Sequence, residues 1–181
     1  MRLRRVAKVF ALTCVGASLL ILATWLFVFR WSMYVVAGDF RGPVLVVYGD
    51  PDGVPSAREG WWTVYRIPSD GILVLADPFE PGLERSQYYL EDENGQRTRL
   101  PLYDDDPSKL QVFYTKVGSG NQQVEDTSFP VTYEGFVVGI PSEFRKTWSD
   151  AHKDLLGTWA RKKLARARTP TAGNRPVDEG R

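Results

Sequence analysis

The 181-residue chain contains one cysteine, Cys14, and one histidine, His152. Zinc sites built from His and Cys, and disulfides within the chain, need more of these residues than are present. A Cys–His dyad inside one folded domain is excluded as well, because Cys14 lies in an apolar segment near the N-terminus. The sequence also lacks a phosphate-binding glycine loop and a nucleophile elbow. We therefore expect a protein that is not an enzyme and holds no cofactor.

The formal net charge is only +1, but the charges are unevenly distributed. Residues 1–38 hold five basic and no acidic residues, and residues 39–141 hold eight basic and seventeen acidic residues. Residues 142–181 hold ten basic and five acidic residues. This separation indicates that the segments occupy different environments.

Residues 9–29 form a run of 21 uncharged, mostly apolar residues. As a helix at about 1.5 Å per residue, the run spans roughly 31 Å, the thickness of a bilayer's hydrocarbon core. The positive-inside rule places the N-terminus in the cytoplasm, because four basic residues precede the run and one follows it. They are Arg2, Arg4, Arg5 and Lys8 before it, and Arg30 after it. The sequence predicts a single-pass signal anchor within residues 1–38, with the rest of the chain extracytoplasmic and the lipid bilayer as a partner.

Two alternatives to this anchor remain open. A cleaved signal peptide also begins with a basic segment, but its apolar stretch is normally shorter, and residues 35–38 are only a weak cleavage site. A lipoprotein would use Cys14, but most of the apolar run lies after that residue. The uncleaved anchor is therefore favoured.

Residues 39–141 consist of short apolar runs separated by turn residues, with no helical pattern among them. About seven strands are predicted, and residues 118–121, rich in glycine, are predicted to form a flexible loop. The spacing favours an all-β sandwich or small barrel, with a transmembrane helix before it and an amphipathic helix after it. The expected strands are residues 42–49, 61–67, 72–76, 87–91, 97–102, 110–117 and 131–140.

Two adjacent aromatic pairs, Trp61–Trp62 and Tyr88–Tyr89, fall within the predicted strands. Neighbouring residues of a strand point to opposite faces, so one member of each pair is expected to leave the core. That member would contact a sugar, a peptide or another subunit. The favoured alternative is that a second sheet and the C-terminal helix cover both faces.

Three segments carry a family resemblance: Phe-Arg-Gly-Pro-Val-Leu-Val-Val-Tyr-Gly-Asp-Pro at residues 40–51, Tyr-Arg-Ile-Pro-Ser-Asp-Gly at residues 65–71, and Gln-Tyr-Tyr at residues 87–89. Over about residues 40–102 the chain resembles a bacterial family of small extracytoplasmic domains of unknown function. Such domains are often carried on lipoproteins or single-helix anchors. The resemblance implies a secreted β domain and brings no activity with it. Lipoprotein relatives would place a cysteine just after the apolar run, where this sequence has none.

Residues 142–168 are predicted to form a basic amphipathic helix that Ser142 caps and Pro170 ends. Its apolar face would pack on the β domain, lie on anionic lipid, or dock against the acidic segment. The residues proposed to contact membrane or a partner are Trp148, Trp159, Arg161, Lys162, Lys163, Arg166 and Arg168. Residues 169–181, rich in proline and glycine, are predicted to be a disordered tail.

Clustered carboxylates are the remaining candidates for chemistry. Asp104, Asp105 and Asp106 could supply oxygen ligands to Ca²⁺, although their spacing does not match an EF-hand. A pair of carboxylates could also serve a glycosidase, depending on their separation in three dimensions. His152 is expected to be a surface or packing residue, because no spacing identifies a group that would orient it for catalysis.

Together these patterns predict a bitopic membrane protein that displays a non-catalytic β domain and acts as a binding or envelope-associated module. Its expected partner is an envelope protein or a glycan. A nucleic acid is excluded, because the topology places the basic helix outside the cytoplasm. The alternatives are a calcium- or carbohydrate-binding module and, third, a carboxylate-based hydrolase.

Overall fold

A computed structural model describes Gly16, Ser18, and residues 29–81 and 83–169 of the chain. Over these ranges the chain forms nine strands, followed by the helix α1. The elements are β1 (Phe29–Ala37), β2 (Gly42–Tyr48), β3 (Ala57–Glu59), β4 (Trp62–Arg66), β5 (Ile72–Val74), β6 (Leu83–Glu91), β7 (Arg97–Leu100), β8 (Gln111–Val124), β9 (Thr127–Gly139) and α1 (Trp148–Arg168).

The strands form two mixed sheets. The first sheet has the order β3-β4-β1-β6-β7, and the second has the order β5-β2-β9-β8. The pairs β1–β4, β1–β6 and β2–β5 are parallel, and the other pairs are antiparallel. A mostly-β fold of two sheets with a C-terminal helix is therefore confirmed, although the described residues hold nine strands where about seven were predicted.

The main hydrophobic core lies between the two sheets. The first sheet contributes Tyr34 and Tyr88, and the second contributes Val46 and Phe136, all of them buried. Tyr34 stacks on Tyr88 with ring centroids 5.1 Å apart and meets the edge of Phe136 at 5.3 Å. These aromatic side chains fill the space between the two sheets.

The strand β1 corrects the boundary predicted at residue 38. Residues 29–37 were assigned to the anchor segment, but they form the central strand of the first sheet. The register pairs Tyr34 with Tyr65 on one side and with Tyr88 on the other. Because β1 has a neighbouring strand on each edge and Met33 to Val36 are buried on both faces, the chain stays mostly apolar after Arg30 and resembles the end of a membrane span.

The strand β8 corrects the loop predicted at residues 118–121. These residues lie inside β8 and pair with residues 130–133 of β9. The turn lies at Glu125 and Asp126 instead, where Glu125 has a positive φ of 51°. A Cβ at Gly118 would lie 2.6 Å from Cζ of the Tyr133 ring, so the glycine lets this ring pack directly over the strand.

The helix α1 covers the outer face of the second sheet. It begins at Trp148, and the side chain of Thr147 caps it by accepting a hydrogen bond from the backbone N–H of Asp150. The predicted start at residue 142 was wrong because Phe144 packs instead on Phe113 of β8, with centroids 5.5 Å apart. Trp159 and Ala160 are buried against Leu45 and Val47 of β2.

No helix within the described ranges is long and apolar enough to cross a membrane. The predicted span of residues 9–29 lies outside those ranges, apart from Gly16, Ser18 and Phe29. The predicted tail also lies outside them from residue 170 onward.

Candidate binding cleft

An open cleft of about 590 Å³ lies between the two sheets, where β6 and β7 face β8 and β9. We call it the intersheet cleft. Its volume is within the usual range of small-molecule sites. Its lining includes the cations Arg85, Arg99 and Lys116, the carboxylate of Glu134, and the apolar side chains of Trp31 and Val117.

A bulge in β8 forms one wall of this cleft. The pairing of β8 with β9 shifts register between Phe113 and Lys116, and Tyr114 within the bulge has a positive φ of 57°. A bulge bends its strand and changes the direction of the side chains that follow. Thr115, Lys116 and Val117 line the cleft directly after it.

The buried carboxylate of Glu134 lies at the inner side of the cleft. The hydroxyl of Tyr34 donates to Glu134 Oε2 at 2.6 Å, and the hydroxyl of Tyr48 donates to the same oxygen at 3.2 Å. Only 6% of Glu134 is exposed. Two hydroxyl donors therefore hold one carboxylate between the sheets, directly beside the cleft.

Three cations, Arg85, Arg99 and Lys116, line the cleft together with this single carboxylate. The guanidinium of Arg85 lies 5.2 Å from the centroid of the Trp31 ring. The Nζ atom of Lys116 lies 4.7 Å from the centroid of the Trp148 ring. In the described part of the chain, Arg99 and Lys116 make no ion pair with a carboxylate. Arg99 and Lys116 alone outnumber the one carboxylate of the lining, and this favours an anionic ligand.

A second cavity, of about 430 Å³, lies between α1 and the edge of the second sheet. Here the cations already have carboxylate partners: Lys163 Nζ lies 2.7 Å from Asp50 Oδ1, and Lys162 Nζ lies 2.7 Å from Asp70 Oδ2. The indole N–H of Trp159 donates to Asp50 Oδ2 at 3.1 Å. These contacts bind the helix to the sandwich.

The pKa of Asp50 reflects this setting. Burial disfavours its charged form, but the hydrogen bond from Lys163 and the one from the backbone N–H of Asp52 outweigh burial. The pKa of Asp50 is lowered as a result. The pKa of Asp70 is lowered in the same way, because its bonds to Lys162 and to the backbone N–H of Ile72 outweigh burial.

His152 is completely buried under the same helix. Its Nδ1 lies 2.9 Å from the carbonyl oxygen of Trp148, and its Nε2 lies 3.1 Å and 3.2 Å from the carbonyl oxygens of Val44 and Phe136. Burial lowers the pKa of His152, although the three carbonyl groups favour the protonated ring. His152 is thus a packing residue, one of the two roles that the sequence predicted.

The four predicted aromatic contact residues occupy different surroundings. Tyr88 is buried in the core, whereas Tyr89 lies on the outer face of the first sheet, where its hydroxyl donates to Gln87. Trp62 is half-buried on that outer face, and Trp61, in the turn before β4, is 85% exposed. Only Tyr88 lines the cleft, so the other three do not belong to it.

Two of the three predicted calcium ligands, Asp104 and Asp106, lie near the ammonium of Lys109, at 3.5 Å and 3.9 Å. The carboxylate of Asp104 accepts a hydrogen bond from the backbone N–H of Asp106, and that of Asp106 accepts bonds from Ser108. Asp105 is exposed. Across the described ranges, no three His, Cys, Asp or Glu side chains are grouped so that they could hold a metal ion.

The predicted contact residues of the basic helix mostly face the sandwich. Trp159 is 3% exposed, and Trp148 stacks on His152 with centroids 4.5 Å apart. Lys162 pairs with Asp70, Lys163 pairs with Asp50, and Arg168 pairs with Glu125. Arg161 donates a hydrogen bond to Thr158 of the same helix, and Arg166 lines the second cavity. Of the alternatives considered, the structure has the helix docked on the acidic domain.

Arg85, Arg99, Lys116 and Glu134 were missed as candidates from the sequence. They come from four strands of two sheets, so no local spacing connects them. Glu134 alone gave a signal, as a single carboxylate inside the apolar run of residues 131–140. A buried charge in such a strand is costly unless it is paired or hydrogen-bonded.

In three dimensions the chain is similar to a predicted lipoprotein from Bacillus anthracis, whose crystal structure was solved at 2.75 Å. The TM-score is 0.56 and the sequence identity is 15%, over 76% of this chain and 96% of the Bacillus protein. This likeness shows a common fold.

No curated protein matches the sequence. Residues 30–143 match DUF6843, a family of unknown function, and these residues include the segments that carried the resemblance. The chain therefore belongs to the DUF6843 family.

Proposed function

We propose that the chain is a single-pass membrane protein that displays a non-catalytic β sandwich outside the cytoplasm. The intersheet cleft then binds an anionic component of the cell envelope. The observation that carries this proposal is the cleft itself, whose lining holds the three cations Arg85, Arg99 and Lys116 and one buried carboxylate.

The apolar run of residues 9–29 and its basic flank support the membrane anchor. The position of β1 adds a second argument, because cleavage at residues 35–38 would remove the central strand of the first sheet. The structural neighbour is a predicted lipoprotein, a class that is tethered to membranes by its N-terminus. An uncleaved anchor keeps β1 in the folded domain.

The geometry of the titratable residues supports a non-catalytic role. His152 has no exposed surface, and both of its ring nitrogens face backbone carbonyls, so it cannot exchange protons with a ligand. Glycosidases use two carboxylates about 5–10 Å apart. Glu134 is the one carboxylate among the cleft-lining residues.

Binding can be tested with the full chain in lipid nanodiscs. The probes are immobilised polymers that carry phosphate or carboxylate groups and a neutral polysaccharide of similar size. We expect binding to an anionic polymer and a loss of about tenfold or more in the double variant Arg99→Ala/Lys116→Ala, since each charge-assisted contact contributes about 1.5–3 kcal/mol. Lys153→Ala, an exposed cation on α1 outside the cleft, is the matched control and should bind normally. Equal binding by the double variant and the control would overturn the proposal.

The anchor has a separate test. We expect the membrane-bound protein to resist sodium carbonate extraction and to have an intact mass that includes residues 1–38. A mature mass beginning after residue 38, or release by carbonate, would contradict the anchor. Neither outcome depends on the ligand of the cleft.

A further inference from the structure

The first sheet gathers three tryptophans at the end where its parallel strands begin. β1 and β4 are parallel, and Ser32 pairs with Thr63, so Trp31 and Trp62 are neighbours across the strands. Their rings meet edge to face with centroids 5.2 Å apart. Trp61, in the turn before β4, is 85% exposed. Apolar side chains clustered at one surface, unlike single scattered ones, are typical of a contact with a protein or a membrane.

A cation lies beside these indoles. Arg85 of β6 pairs with Trp31 of β1 in the parallel register, and its guanidinium lies 5.2 Å from the centre of the Trp31 ring. Tryptophan and arginine are the side chains that favour the boundary between lipid headgroups and water. Trp31 and Arg85 also line the intersheet cleft, which therefore opens at the same end.

The path of the chain indicates where this end of the domain lies relative to the membrane. The apolar run ends at Phe29, and Phe29 is also the first residue of β1, so no linker separates the two. If the run spans a bilayer, the start of β1 lies at the bilayer surface. The strands β4 and β6 run parallel to β1, so they begin at the same surface.

In the second sheet and its helix, β2 and α1 both run toward the end of the domain where β1 begins. Residues 38–41 turn the chain from β1 into β2, so β2 returns toward the end where β1 begins. Trp159 of α1 contacts Asp50 just after β2, and Arg168 pairs with Glu125 at the β8–β9 turn. The basic last turns of α1 therefore lie at this end.

The opposite end has a different composition. The turn between β6 and β7 holds Asp92 and Glu93, and the turn after β1 holds Asp39, all of them exposed. Arg41, near Asp39 in the sequence, is exposed as well, and the β8–β9 turn at the other end carries the exposed Glu125 and Asp126. The two ends therefore differ in their tryptophans, and the orientation follows from the course of the chain.

We propose that Trp31, Trp61, Trp62 and Arg85 form a rim that rests in the phospholipid headgroup layer of the membrane that holds the chain's own N-terminal segment. This inference rests on the anchor in the proposed function. It places the intersheet cleft near the membrane surface, so that the domain stands on the bilayer in one orientation instead of swinging on a tether.

The test uses the full chain, with Cys14→Ser as background, in nanodiscs of phosphatidylcholine and phosphatidylglycerol. Spin labels are attached at Trp61→Cys and, as the control, at Asn94→Cys in the β6–β7 turn. We expect the label at position 61 to be more accessible to oxygen than to a water-soluble nickel chelate, and the label at position 94 to show the reverse. Equal, water-like accessibility at both positions would overturn the rim.

A second measurement keeps the native indole at position 61. Brominated lipids should quench the fluorescence of the wild type more than that of Trp61→Phe, because the substitution removes an indole that lies within the headgroup layer. The comparison uses the fluorescence intensity lost per protein molecule, because Trp31 and Trp62 stay in both proteins, and an equal loss in both would count against the rim. Carbonate extraction of the same samples separates the two proposals, since a failed anchor releases the protein and a failed rim leaves it bound.

Discussion

The imidazole of His152 lies directly on the backbone of Gly135. A Cβ at residue 135 would come within 2.5 Å of His152 Cδ2 and 2.7 Å of Nε2. The absence of a side chain on β9 thus allows α1 to approach the second sheet closely enough for the ring to reach the carbonyl groups of Val44 and Phe136.

Gly135→Ala should therefore destabilise the domain by about 1–3 kcal/mol, the usual cost of overpacking an interior. The ring cannot move aside cheaply, because it is completely buried and bonded on both nitrogens. Gly120→Ala is the control, since no atom lies within 4 Å of the Cβ that it would add. Urea unfolding of both variants measures the difference, and equal midpoints would contradict this account of the helix–sheet contact.

His152 also predicts how stability depends on pH. Its pKa is lowered in the folded protein, so the unfolded chain binds the proton more readily. Stability should therefore be fully present above the unfolded pKa of about 6.5 and should fall as the pH drops below it. His152→Gln should abolish this slope between about pH 5 and 7, whatever its effect on stability at neutral pH.

The chain has no other histidine, so the measured window isolates this residue. The lowered pKa values of Asp50 and Asp70 act in a different range, because their contribution is lost only as the pH falls below about 4. Melting curves over the whole range resolve the two. A slope between pH 5 and 7 that survives in His152→Gln would show that another group causes it.

Two neighbouring lysines of α1 should contribute unequally. Lys163→Met leaves Asp50, which is 4% exposed, without its cation, and we expect a loss of about 1–3 kcal/mol. Lys162→Met removes a pair in which both side chains are about half exposed, so its effect should stay within about 1 kcal/mol. Thermal unfolding of the two variants in the same buffer tests this order, and the reverse order would be inconsistent with it.

Two tryptophans of α1 offer a second matched comparison. The indole N–H of Trp159 donates to Asp50, whereas the buried N–H of Trp148 has no partner among the described residues. Trp159→Phe should therefore cost about 1–3 kcal/mol more than Trp148→Phe, since it alone removes a donor from a buried carboxylate. Calorimetry of both variants gives the comparison, and equal losses would assign the whole effect to packing.

The sequence predicted most of the second sheet and missed the centre of the first. Residues 42–49 and 131–140 were recognised as strands because their β-branched runs end in turn residues, and they became β2 and β9. β1 was not separated from the anchor segment, because its buried residues, Met33 to Val36, continue the apolar composition of residues 9–29 with only one charged residue, Arg30, between them. β3 has three residues, all exposed, and so carries no periodic signal.

The cleft could not be read from the sequence, because its residues meet only through the pairing of strands. The Gly-Ser-Gly-Asn segment at residues 118–121 has the composition of a loop, and only its contact with β9 makes it part of a strand. The basic end of α1 was identified correctly as a charged helix. Its actual partners, Asp50 and Asp70, follow other strands far away in sequence.

The central position of β1 has a consequence for the order in which the domain folds. β1 is the first strand of the domain in the chain, yet it pairs with β4 on one side and with β6 on the other. The first sheet therefore cannot assemble until residue 91 has been made, and its contacts are distant in sequence. Folding dominated by such contacts is slow. Until then at least one edge of β1 stays unpaired, so this newly made chain should be most prone to aggregation, and most dependent on chaperones, before β6 is complete.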